Sequence, residues 1–210
     1  MSQLTVYADN NTNKVLVSTS NADDITKQLA KVNVRFEQWQ ANADINEHTT
    51  HEQIISAYKN DIERLKTENG YQTVDVISLA KGNLGASELR KKFLFEHTHS
   101  EDEVRFFVKG QGLFCLHLGN KVYQVLCQQG DLISVPELTP HWFDMGSDPE
   151  FTAIRLFNNT EGWVAKSTES SIGDVALLKY SHTDGYQVAF MHRDRLDSAT
   201  TMTGVLGEVL

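Results

Sequence analysis

Apolar positions change their period along this chain. Ile54, Ile55, Tyr58, Ile62 and Leu65 recur at helical spacing. Thr50 and Gln53 in front of them form a capping box, and Asn69 with Gly70 behind them supplies a stop. The spacing predicts one helix over Thr50 to Glu68. From Tyr71 the pattern turns to short apolar strands separated by turns about ten residues apart, as in a sandwich or barrel. Gly119 and Asn120 read as a two-residue hairpin between Leu113–Leu118 and Lys121–Leu126, and Phe151 to Phe157 as a late strand. Upstream, Leu4 to Val17 reads as two strands around the turn residues Asp9 to Thr12. Ser20 to Lys31 reads as a short capped helix with Ile25 and Leu29 on one face, and Val32 to Trp39 as a strand. The expected architecture is mainly β, a barrel with a few flanking α-helices.

Within the β region, one stretch carries chemistry. EHTHSEDEVRFFVKGQG, from Glu96, places His97, His99 and Glu103 in an H-x-H-x3-E spacing, and GDLISVPELTPHWFDMG brings His141 on a strand able to return beside them. Residues two apart on a strand share a face, so His97 and His99 point together, and Glu103 can join them across a turn or bulge. Imidazole with carboxylate suits zinc, iron, nickel, manganese or copper rather than calcium. For the first three residues alone, a polar surface strand is the competing reading. His141 shifts the balance, because it lies between Pro140 and the apolar pair Trp142–Phe143, where an uncommitted imidazole would be an awkward core residue.

Charge and composition narrow the partners. The 210 residues suffice for one substantial core, and the formal net charge of −9 argues against nucleic acid, which needs clustered Lys and Arg. The one basic run, Arg90 to Lys92, reads as a solvated face. No apolar run approaches a membrane span and the first residues do not resemble a signal peptide, so a cytoplasmic location is expected. Cys115 and Cys127, each inside an apolar strand pattern, read as buried filler. His117 on the hairpin reads as a satisfied barrel residue, and His48, His51, His182 and His192 as surface residues.

The two chemical segments resemble the paired motifs of the cupin superfamily, with Gly110 after Glu103 in the first and Gly130, Pro136 and His141 in the second. Lys91, Leu138 and Met145 stand where the superfamily pattern usually has glycine, glycine and asparagine, which counts against a generic sugar-binding or isomerase cupin. The longer run, HTHSEDEVRFFVKGQGLFCLHLG, then GDLISVPELTPHWFDMG, then FTAIRLFNNTEGWVA, with VRFEQWQA upstream, resembles the acireductone dioxygenase family from about Leu4 to Ala165. The resemblance implies a single cupin domain over residues 1–165. It leaves residues 166–210 as an extension without an assigned role, whose Ser/Thr/Gly-rich end reads as a partly ordered tail.

It also implies an activity. The family cleaves 1,2-dihydroxy-3-keto-5-methylthiopentene with O2 in methionine salvage, using one Fe2+ or Ni2+ per monomer. The iron form yields formate and 4-methylthio-2-oxobutanoate; the nickel form yields 3-methylthiopropanoate, formate and carbon monoxide. Four protein ligands in an octahedral shell leave two adjacent positions where an enediol could chelate. Arg105, two residues beyond Glu103, is expected to face the same cavity and stabilise the substrate dianion; a surface ion pair with Glu101 or Asp102 is the alternative. Arg155 is expected either to share that task or to bridge strands. Phe143, Phe93 and Trp163 are candidates to wall the thioether tail, against the default that barrel aromatics are core. The family further suggests Glu96 in metal incorporation and Asp102 in conformational relay, and a monomer. Another metal-dependent cupin acting on a different small substrate, or a non-catalytic binding cupin, are the competing functions.

Overall fold

One strand, Glu103–Leu118, runs through both walls of the barrel and sets where everything else sits. In the computed structural model the described residues are 1–158 and 164–170. In chain order the elements are β1 Gln3–Ala8, β2 Asn11–Thr19, α1 Ala22–Ala30, β3 Arg35–Gln38, α2 His51–Ala57, α3 Lys59–Asn69, β4 Thr73–Leu79, α4 Ala86–Phe93, β5 His97–Thr98, β6 Glu103–Leu118, β7 Lys121–Gln128, β8 Asp131–Val135, β9 His141–Asp144, β10 Phe151–Phe157 and β11 Lys166–Ser167. The start of β6 pairs with β8 and β10; its end pairs with β7 and β9. Every pairing is antiparallel, and β7 leads on to β1 and β2, β10 to β4, β8 to β3 and β9 to β5.

The strand changes wall at Gly110, where φ is +75° and an added Cβ would stand 2.0 Å from the Glu150 carbonyl oxygen. Only glycine fits there. Before that corner, alternation divides the side chains of β6 cleanly. Val104, Phe106 and Val108 face outward, onto Ile54, Tyr58, Ile62 and Leu65 of the α2–α3 layer. Glu103, Arg105 and Phe107 face inward, and Phe107 joins Phe114, Phe143, Phe151 and Val125 in the barrel core.

The anticipated helix over Thr50 to Glu68 is two helices. The capping box is present, with Thr50 Oγ1 accepting from Gln53 N–H and Gln53 Oε1 from Thr50 N–H. Gly70 closes α3 in the left-handed region at φ +75°. Between them Tyr58 departs from helical geometry at φ −109° while its buried ring packs edge-on against Phe106 at 5.0 Å. Helix α1 has its expected cap, Asn21, whose side chain accepts from the Asp24 N–H. The hairpin turn at Gly119–Asn120 has both residues at positive φ, +57° and +59°, the type I′ geometry that the strand twist favours.

The basic run is a correction. Arg90 lies on α4, which the apolar pattern did not reveal, and its guanidinium makes a bidentate pair with the buried Asp144 at 2.7 and 2.9 Å. Lys91 and Lys92 are exposed, as a solvated face requires. Cys115 and Cys127 are free and buried. Among the described residues, no helix is long and apolar enough to cross a membrane. Residues 171–210, with His182 and His192, lie outside the described part.

Candidate metal centre

Strand pairing brings the two motifs together. β5 is only two residues long, and His97 lies directly opposite His141 in its pairing with β9. His99 follows in the turn, and Glu103 opens β6. The four side chains are buried, and one ligand atom from each lies within 4.8 Å of the others. Their imidazole rings stand 4.6 to 5.2 Å apart, centroid to centroid.

The hydrogen bonds around them select the donor atoms. Nδ1 of His97 lies 2.6 Å from the Phe95 carbonyl and Nδ1 of His141 2.7 Å from the Thr139 carbonyl. A carbonyl can only accept, so each Nδ1 carries the proton and each Nε2 keeps a lone pair when the ring is neutral. Nε2 of His141 and of His99 lie 2.9 and 3.1 Å from the same Glu103 oxygen, Oε2. A lone pair and a carboxylate oxygen at such a distance are stable neighbours only when a proton or a cation is shared between them. The donor set therefore fits a borderline transition metal.

Electrostatics point the same way. Burial foremost, with His141 beside it, pushes His97 down to about 3, so it is neutral. Burial would raise the Glu103 carboxyl, but the Arg105 charge and the hydrogen bonds from His141 and His99 outweigh it and hold the carboxyl well below its usual range. Burial would lower His99, but its hydrogen bond to Glu103 and that residue's charge raise it. The buried negative charge of Glu103 that favours a cationic His99 would equally favour a bound cation between these side chains.

Arg105 turns inward as alternation required. It is 4% exposed, donates from Nη2 to Glu103 Oε1 at 2.7 Å, and its guanidinium carbon lies 4.5 Å from the Phe143 ring centre and 5.2 Å from that of Phe114. The alternative partners are engaged elsewhere: Asp102 accepts from the N–H of Glu137 and the hydroxyl of Tyr71, and Glu101 from the N–H of Asn158. Arg155 bridges strands, holding Asp75 bidentately at 2.8 and 2.6 Å. Phe143 belongs to the barrel core with its face toward Arg105, and the half-buried Phe93 meets it edge-on at 6.5 Å. Trp163 lies outside the described residues.

Sequence reasoning missed the surroundings of Glu96. His117 is partly exposed and joins Glu96, while Thr168 holds the other oxygen of that carboxylate. β11, which begins after Ala165, adds itself to β5. No periodicity in a two-residue strand could have announced it.

A barrel with three histidines and a glutamate gathered where its two motifs meet defines a metal-binding cupin. The chain belongs to the ARD/ARD' family, whose profile matches residues 3–165. It is 55% identical over 174 residues to the acireductone dioxygenase of Yersinia pestis (strain Pestoides F), covering 83% of this chain and 97% of that one. The Cronobacter sakazakii acireductone dioxygenase is 56% identical over the same coverage. Among solved structures, the acireductone dioxygenase from Bacillus anthracis, which has a cadmium ion in its active centre, matches with a TM-score of 0.68 at 31% identity, over 79% of this chain and 98% of that chain.

Proposed function

We propose that this chain is a cytoplasmic, monomeric dioxygenase of methionine salvage that cleaves the acireductone 1,2-dihydroxy-3-keto-5-methylthiopentene with O2. The observation carrying the reading is the convergence of His97, His99, Glu103 and His141 beside the buried guanidinium of Arg105. Similarity to acireductone dioxygenases over most of the chain supports it.

One Fe2+ or Ni2+ held by these four residues would supply Lewis acidity and a template for an enediol. The carbonyls of Phe95 and Thr139 fix two imidazoles with Nε2 toward the ion. Arg105 aligns Glu103 and offers its charge to the substrate dianion, in a setting where Phe143 and Phe114 exclude water and strengthen that charge. Arg155, neutralised by Asp75, braces the wall behind Arg105. Phe143 and Phe93, which meet edge-on, form an apolar seat for the methylthio tail. Glu96 serves metal incorporation, and Asp102, tied to the loop before β9 through Glu137, serves conformational relay.

The test is turnover. Protein loaded separately with Fe2+ and Ni2+ receives anaerobically prepared acireductone, then oxygen. The iron form should give formate and 4-methylthio-2-oxobutanoate, and the nickel form 3-methylthiopropanoate, formate and carbon monoxide. A metal-loaded protein that consumes no oxygen would transfer the reading to a different small substrate of the same fold.

A further inference from the structure

Next to the ligand His97 in the chain stands a second polar assembly, built around Glu96. Glu96 precedes the ligand His97 in the chain and is 4% exposed. One of its carboxylate oxygens accepts from the Thr168 hydroxyl at 2.6 Å, and the other lies 2.9 Å from His117 Nδ1. Nε2 of His117 lies 3.4 Å from the Asp9 carboxylate. The backbone is engaged as well: the Thr168 N–H donates to the Glu96 carbonyl at 3.2 Å, and Ser167 and Lys166 pair with His97 and Thr98. On the other side, the N–H of His117 donates at 2.8 Å to the carbonyl of Pro140, the residue before His141, while Leu116 pairs with His141 itself.

We infer that Thr168 and His117 are positioning residues of the metal centre. Through Glu96 they hold the backbone carrying His97, and His117 also holds the backbone carrying His141. A carboxylate this buried is costly without donors. Removing one donor therefore moves the carboxylate, and with it the start of β5. That strand is two residues long and has little pairing of its own to resist the movement. Ligands fixed before the ion arrives bind it more tightly than ligands that must be gathered. Thr168 lies beyond the stretch that the family profile matches, so the extension contributes to the site from its first residues. The inference rests on the reading of the four-residue cluster as a metal centre.

The experiment uses the full chain with Co2+ as the probe. Affinity is read by competition with a chelator, ligand geometry by the visible absorption of the loaded protein, and folding by the thermal midpoint of the metal-free form. Thr168→Val should weaken Co2+ binding on the order of 10-fold and alter the absorption bands, and Thr168→Ser, which restores the hydroxyl, should restore both. His117→Leu carries the same expectation should Thr168→Val fail to fold. Wild-type affinity and bands in a folded Thr168→Val or His117→Leu protein would overturn the inference while leaving the metal centre intact. So would a lowered midpoint of the metal-free form with unchanged bands. A wild-type chain that binds no Co2+ would overturn the metal centre itself, and the inference with it.

Discussion

Arg155 lies directly opposite Arg105 in the β10–β6 register, and the two buried guanidiniums are answered by separate carboxylates, Asp75 for one and Glu103 for the other. Cross-strand neighbours of like charge repel, so this division is what lets both arginines stay inside the barrel wall. Asp75→Asn should cost about 1 kcal/mol in urea denaturation, because the Asp75 side chain is 44% exposed. Combining it with Arg155→Met should cost less than the two single changes added together, because the charge left without Asp75 is then gone.

Arg105 itself is a sharper test of chemistry. Arg105→Lys keeps a positive charge but loses the planar fork that meets Glu103 while stacking on Phe143. Metal content should stay near wild type and kcat/KM should fall by about 100-fold. Metal analysis and steady-state oxygen uptake on the same preparation check both halves of that expectation.

Helix α4 is clamped to the strand carrying His141. Arg90→Met removes both hydrogen bonds to a carboxylate only 2% exposed and leaves its charge buried, at a cost of about 3 kcal/mol. Chemical denaturation measures it. A loss no larger than that of an exposed helical substitution would show that Asp144 finds another partner.

Acid sensitivity has a defined contributor away from the metal centre. Burial would raise the Glu37 carboxyl, but hydrogen bonds from Arg64, Trp39 and Arg35 bring it down to about 2. Its proton is bound more tightly in the unfolded chain than in the folded one. The stabilisation is therefore whole above the ordinary carboxylate value of 4.5 and is lost as pH falls from there through about 2. Glu37→Gln should be less stable than wild type near neutrality, by on the order of 2 kcal/mol, with the gap narrowing across that window. Denaturation of both proteins at a series of pH values checks the sign.

Much of this is legible in the amino-acid sequence. The pairing of H-x-H-x3-E with a later histidine identified all four cluster residues, because strand alternation and burial leave few other uses for them. The span of β10 and the position of the Gly119–Asn120 turn followed from period and turn chemistry, whereas the hairpin strands run further than the expected Leu113–Leu118 and Lys121–Leu126, to Glu103–Leu118 and Lys121–Gln128. The break at Tyr58 was not legible: its spacing is helical, and what interrupts the helix is a tertiary contact with Phe106. Arg90 looked like surface because its partner Asp144 is far away in sequence. Thr168 sits in a segment too short to have a pattern, and its role exists only once β11 has paired with β5.

The most direct measurement is the metal content of purified wild-type chain and of His97→Ala, each followed by oxygen uptake with the enediol. One ion of iron or nickel per wild-type chain, with oxygen consumed, and neither in His97→Ala, is the predicted result. A wild-type chain that takes up no metal, or a His97→Ala chain that keeps both its ion and its activity, would contradict the assignment of His97, His99, Glu103 and His141 as the reaction centre.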